Sequence, residues 1–273
     1  MKKRIFAVVL SAALCLSALS ACGGTDKPQS EDMGGDLLAA IQAKGEIVVA
    51  TEGTWAPWTY HDENDQLVGY DVEVAQAIAE KLGVTATFVE GEFDGLLAGL
   101  EAGRYDIMAN GVDITPERAE KYSFSTPYAY NRTAVIVRGD NGDIQAMEDL
   151  AGKRTANTIT STYAAVAEQY GAEVTGVDDL NQTFELLLSG RVDATLNAEV
   201  SYYDYMNAHP DADIKIACLD SESTQAAIPM REGEETASLL EAVNGALAEL
   251  SEDGTLTELS NKYFGGDISQ DQN

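Results

Sequence analysis

Positive charge is scarce in this chain: 17 lysines and arginines stand against 46 aspartates and glutamates, a formal net charge of −29. A surface this acidic repels nucleic acid and anionic lipid, so nucleic acid is not an expected partner. Histidine is scarcer still. His61 and His209 lie in unrelated loop-like contexts, which argues against a histidine-based metal site. There are three cysteines, Cys15, Cys22 and Cys218. No G-x-S-x-G elbow, phosphate loop or dinucleotide fingerprint occurs. Nothing in the spacing of the many acids selects a catalytic pair. These shortages argue against an enzyme and imply no cofactor and no metal.

The longest apolar run, Ile5 to Leu19, is too short for a spanning helix. It follows Lys2, Lys3 and Arg4 and ends in Leu19-Ser20-Ala21-Cys22, the pattern of an export signal. A small-residue cleavage site directly before a cysteine reads as a bacterial lipobox. Residues 1–21 would leave, and Cys22 would become a lipidated N-terminus; an ordinary secretory signal is the plainer alternative. Either way the mature protein works outside the cytoplasm. Residues 22–35, rich in Gly, Ser and charge, read as a flexible tether. With Cys15 and Cys22 spent, Cys218 has no disulfide partner and reads as a small buried hydrophobe. The fold must then rest on its core, for which a composition 45% hydrophobic is ample.

From Asp36 onward the pattern alternates strand and helix. Glu46–Thr51, Thr85–Val89 and Tyr105–Ala109 read as strands, Tyr70–Lys81 and the segment from Phe93 to Gly103 as helices. A second series follows: strands Ala134–Arg138, Lys153–Asn157, Glu173–Gly176 and Val192–Leu196, with helices from Ser161 to Tyr170 and Asp179 to Ser189. Then come Gln225–Met230, a long helix striped by Leu239, Ala242, Val243, Ala246, Leu247 and Leu250, and a short helix near 256–263. This order implies α/β lobes with largely parallel sheets. Gly103–Asn110 (GRYDIMAN) echoes Gly190–Asn197 (GRVDATLN), each a helix end, a strand and a final asparagine. Ligands bind beyond the carboxyl ends of strands in open α/β sheets. Asn110 and Asn197 would then face one cleft from two like lobes.

Other residues fit a binding cleft. Thr51–Trp58 (TEGTWAPW) is a turn after the first strand that would hold one tryptophan at the cleft and one in the core. Phe93 opens a helix and reads as core or as ligand wall. Thr115-Pro116-Glu117 is a helix start, which puts Arg118 in a first turn where the helix dipole disfavours a cation. A bound carboxylate would relieve that conflict; a salt bridge to a neighbouring acid is the alternative. Thr158–Thr162 (TITST) precedes a helix and offers hydroxyls and free N–H groups to an anion, or simply caps the helix.

In this order the segments ATEGTWAPWTY (50–60), VGYDVEVAQAIAEKLG (68–83), FDGLLAGLEAGRYDIMANGVDITPERAEKYSFSTPY (93–128), LAGKRTANTITSTY (150–163) and SEDGTLTELSNKYFG (251–265) resemble the family 3 extracellular solute-binding proteins of ABC amino-acid importers, most of all their cystine-binding branch. The resemblance implies a type II periplasmic-binding-protein fold, two α/β lobes joined by a two-strand hinge. The first lobe would comprise 36–130 plus 226–266, the second 131–225, with a disordered tail at 267–273. It implies that Trp55 and Phe93 sandwich the ligand and that Asn110, Gly111 and Asp113 contact it at strand ends. Arg118 would take its carboxylate together with Ser161 and Thr162, and Glu52 would read its side chain. The family commonly has an aspartate for the ligand's α-ammonium where this chain has Ala198. Asp113 is the expected substitute, Glu199 the alternative. The expected partners are a polar amino acid, cystine foremost, the importer's membrane subunits, and the membrane through the lipid on Cys22; the protein is expected to be a monomer. The same fold also serves sensory modules, adhesins and dehydratase-type enzymes, which stand as rival expectations.

Overall fold

A computed structural model describes residues 35–271; the expected signal at 1–21, Cys22 and all but the last residue of the tether lie outside them. The first helix, α1 (Leu37–Lys44), is capped by Asp36, whose carboxylate accepts from Ala39 N–H at 3.2 Å. It ends at Gly45, in the left-handed conformation that glycine adopts at little cost. There follow β1 (Glu46–Thr51), the short meander β2 (Thr54–Trp55), β3 (Thr59–His61) and β4 (Leu67–Val68), α2 (Tyr70–Lys81), β5 (Thr85–Glu90), α3 (Phe93–Glu101) and β6 (Ile107–Met108). β1 pairs in parallel with β5 on one side and β6 on the other, the arrangement that crossover helices impose.

α4 (Pro116–Ala119) is one turn, begun by Thr115 and Pro116 as expected. After β7 (Tyr122–Phe124) the chain leaves the first lobe along β8 (Ala129–Arg138). The second lobe adds β9 (Arg154–Asn157), α5 (Thr162–Gln169), β10 (Glu173–Gly176), α6 (Leu180–Leu188), β11 (Ala194–Ala198), α7 (Glu199–Ala208) and β12 (Ile214–Ala226). Ser161 and Asp179 cap α5 and α6 with their side-chain oxygens. The chain then closes with β13 (Pro229–Arg231), α8 (Ala237–Glu252) and α9 (Thr255–Phe264). The stripe on α8 is buried at Leu239, Val243, Ala246, Leu247 and Leu250, while Ala242 is half-buried. Burying each of its four leucine and valine side chains is worth about 1.5–3 kcal/mol.

The second sheet departs from expectation. Its order is β10-β9-β11-β8-β12, parallel across β10, β9 and β11 but antiparallel where β8 meets β11 and β12. β8 and β12 are paired from Ala129↔Ala226 to Arg138↔Ile214, so the two passages between lobes run side by side. Strands that enter and return across a hinge must be antiparallel, which a local pattern does not encode. Gln225–Met230 divides between the end of β12 and β13. At the C-terminus, residues 267–271 are held where disorder is expected: Ile268 N–H donates to Ser260 Oγ at 2.8 Å and its carbonyl accepts from Tyr130 N–H. No described helix is long and apolar enough to cross a membrane.

Candidate functional site

The carboxyl ends of β1, β6, β9 and β11 converge on a cavity between the lobes. Trp55 and Phe93 line it, as do Asn110, Gly111 and Asp113 from the end of β6, and Ser161 and Thr162 from the start of α5. The two tryptophans divide as expected. Trp55 faces the cavity, while Trp58 lies beneath it in the core, stacked at 5.2 Å and 17°. Gly111 lets them come this close: its φ is +51°, and a Cβ there would meet Trp55 ring carbons at 2.8 Å.

Arg118 is the one arginine of the cavity and is only 9% exposed. Its Nη1 donates to the Asp113 carbonyl and its Nη2 to the Thr160 carbonyl, each at 3.0 Å. Its Cζ stands 5.4 Å from the centre of the Phe93 ring, a cation–π contact. Both hydrogen-bond acceptors are neutral carbonyls, and no salt bridge to the guanidinium is found among the described residues. Burial draws its pKa down, and the Asp113 carboxylate opposes that at longer range. Two of its five N–H donors are used, which leaves the rest for a ligand.

Asp113 is buried, and its Oδ2 accepts from Thr162 Oγ1 at 2.5 Å. Burial raises its pKa, with Thr162 and Arg118 pulling the other way. Glu52 is held by Asn110. The Asn110 Nδ2 donates to its carboxylate at 2.6 Å and the Asn110 Oδ1 accepts from its backbone N–H at 2.7 Å. Burial pushes the Glu52 carboxyl up to about 7. Asn197 comes from the opposite lobe and accepts from Trp55 Nε1 at 3.1 Å. With the Arg118–Thr160 and Thr162–Asp113 bonds, and one from Thr160 Oγ1 to Asp94, this contact joins the lobes directly. The conformation is a closed one.

The family model for bacterial extracellular solute-binding proteins, family 3, matches residues 47–266. The chain belongs to that family. The L-cystine-binding protein TcyA of Bacillus subtilis is 39% identical over 99% of this chain and 100% of its own length. Among solved structures, an ancestral arginine-binding protein bound to arginine is 36% identical, with a TM-score of 0.76 over 81% of this chain and 99% of that one. The L-cystine solute receptor of Neisseria gonorrhoeae, unliganded and open, is 39% identical, with a TM-score of 0.59 over 87% of this chain and all of that one.

One expected residue of this solute-binding protein does not reach the cavity. Glu199 opens α7 and turns toward the hinge, where its carboxylate pairs with Arg132 on β8 at 2.9 Å. It lies among the residues of a separate surface pocket, which takes it out of the ligand set. Four lining residues were not anticipated, Asn157, Tyr163, Leu180 and Thr183, while Thr158 belongs to the 158–162 segment read as an anion site. Asn157 ends β9, as Asn110 follows β6 and Asn197 lies one residue before the end of β11, so the strand-end asparagine pattern applied once more points to it. Tyr163, Leu180 and Thr183 sit on the first turns of α5 and α6, and no residue-type signal marks them.

Proposed function

We propose that this protein binds an amino acid in the closed interlobe cavity and delivers it to the membrane subunits of an ABC importer. The observation that carries this is Arg118, a buried guanidinium in the cavity whose hydrogen bonds go only to carbonyls. A ligand carboxylate supplies the missing counter-charge, shared with N–H groups at the start of α5. Asp113, beside it, takes the α-ammonium that Ala198 has no group to bind; burying that cation requires an anion. Trp55 and Phe93 flank the ligand, and Glu52 faces its far end. Because contacts from both lobes exist together only on closure, the ligand favours the closed state.

L-Cystine is the first candidate, supported by the names of the relatives from Bacillus and Neisseria. Its second head group carries another ammonium for Glu52. A second reading, a cationic amino acid such as arginine, is favoured by the two carboxylates that share the cavity with a single cation. We read the chain as a binder and not a catalyst, exported and held at the outer face of the cell membrane by lipid on Cys22. The test is native mass spectrometry of undenatured protein, followed by calorimetric titration with L-cystine, L-arginine and L-glutamine. Saturable binding of one of them supports the reading. Absence of binding to any amino acid, by a folded protein freed of ligand, would end it.

A further inference from the structure

Thr160 lies outside the ligand cavity, on the turn between the end of β9 and the start of α5. That turn is tight. Ser161 N–H donates to the Thr158 carbonyl at 3.0 Å, and Ser161 Oγ accepts from Ala164 N–H at 3.1 Å. Thr160 itself stays exposed, and both of its oxygens engage the other lobe. Its carbonyl accepts from Arg118 Nη2 at 3.0 Å, and its hydroxyl donates to the Asp94 carboxylate. Arg118 belongs to α4 and Asp94 to the first turn of α3. One residue of the second lobe therefore holds two elements of the first.

An exposed carboxylate in the first turn of a helix is favoured by the helix dipole, so Asp94 is well placed to accept whenever the lobes meet. Neither Asp94 nor Thr160 lines the cavity. Both line the groove beside it, which shares Arg118, Ser161 and Thr162 with the cavity. The two bonds of Thr160 thus cross the seam between the lobes beside the residues proposed to hold the ligand carboxylate. They use no ligand atom, and they exist only in the closed conformation.

We propose that Thr160 is a positioning residue that latches the closed protein: its hydroxyl, held by Asp94, keeps the lobes shut over the ligand and sets how fast the ligand leaves, while its carbonyl steadies Arg118. The effect on release rests on the amino-acid reading of the cavity. Bonds that form after the lobes meet act on release and leave capture unchanged. Thr160→Val removes the hydroxyl at nearly the same shape and keeps the carbonyl. Asp94→Ala removes the acceptor, and Asp94→Asn keeps an acceptor oxygen. The experiment is stopped-flow fluorescence with L-cystine, L-arginine and L-glutamine, using Trp55 in the cavity wall as the reporter. Thr160→Val and Asp94→Ala are each expected to release ligand about three- to tenfold faster, with association within about twofold of wild type. The double variant is expected to release no faster than either single one, because both remove the same bond. Asp94→Asn should recover most of the wild-type rate, a rescue that a general loosening of α3 would not give. Release unchanged in both single variants overturns the latch, as do effects that multiply in the double variant or fall on association instead. A folded wild type that binds none of the three amino acids overturns the reading of the cavity and the latch's role in release with it, whereas normal binding with unchanged release overturns the latch alone.

Discussion

Replacing Arg118 with alanine tests the centre of the proposed chemistry. The side chain is nearly buried, and its two hydrogen bonds to the protein end on carbonyls. In the complex it becomes one half of a buried charge pair. Truncating one partner of such a pair costs about 2–5 kcal/mol. At about 1.4 kcal/mol per tenfold, that is about thirtyfold to several thousandfold in Kd. Two features place this site within the range. The start of α5 shares the carboxylate and cushions the loss. Against that, the Arg118–Thr160 bond is one of the contacts that close the lobes, so its removal also weakens closure. We expect a loss of at least about a hundredfold for Arg118→Ala. Arg118→Lys is expected to recover only part of it, because an ammonium keeps the charge but not the planar fork. Calorimetry gives the answer, with near-ultraviolet circular dichroism to show that the variant is folded. A folded Arg118→Ala protein whose Kd stays within about threefold of wild type would refute the carboxylate assignment.

Glu52 gives a pH signature. Burial in the closed cavity pushes its carboxyl up to about 7, and a cationic head group beside it would lower that value in the complex. Binding below neutrality must then release a proton, so affinity for L-cystine or L-arginine should fall as pH drops from 7 to 5, by up to about tenfold per unit, and level off above 7. Glu52→Gln should remove that slope; a slope unchanged in Glu52→Gln would exclude Glu52 as its source. Asp113→Asn keeps the Thr162 hydrogen bond but removes the charge facing the α-ammonium, and should weaken binding by at least about tenfold in calorimetry. An unchanged Kd would take Asp113 out of that role. Gly111→Ala brings a Cβ against Trp55 at a positive φ, and should lower both affinity and melting temperature, at a cost of about 1–3 kcal/mol in stability. Calorimetry and thermal melts read the two losses separately.

The features legible in the sequence are those set by neighbours in the chain. Thr115 and Pro116 start α4, Ser161 and Asp179 cap their helices, and the i, i+3, i+4 stripe of α8 finds its buried face, because each depends on atoms within a turn or two. The strand-end asparagines were visible for the same reason. The local pattern leaves open which tryptophan meets the cleft, and only the family resemblance singles out Trp55. Trp55 and Trp58 have almost the same local setting, and the choice depends on Asn197, 142 positions away, and on the close approach allowed at Gly111. Likewise Asp113 and Glu199 are equally acidic in the sequence. Only the path of β8, which sets Arg132 beside Glu199, turns one toward the hinge and leaves the other in the cavity. Local hydrogen bonding and apolar periodicity thus determined the elements, while strand direction, the ligand wall and the burial of Arg118 were decided by contacts between residues far apart in the chain.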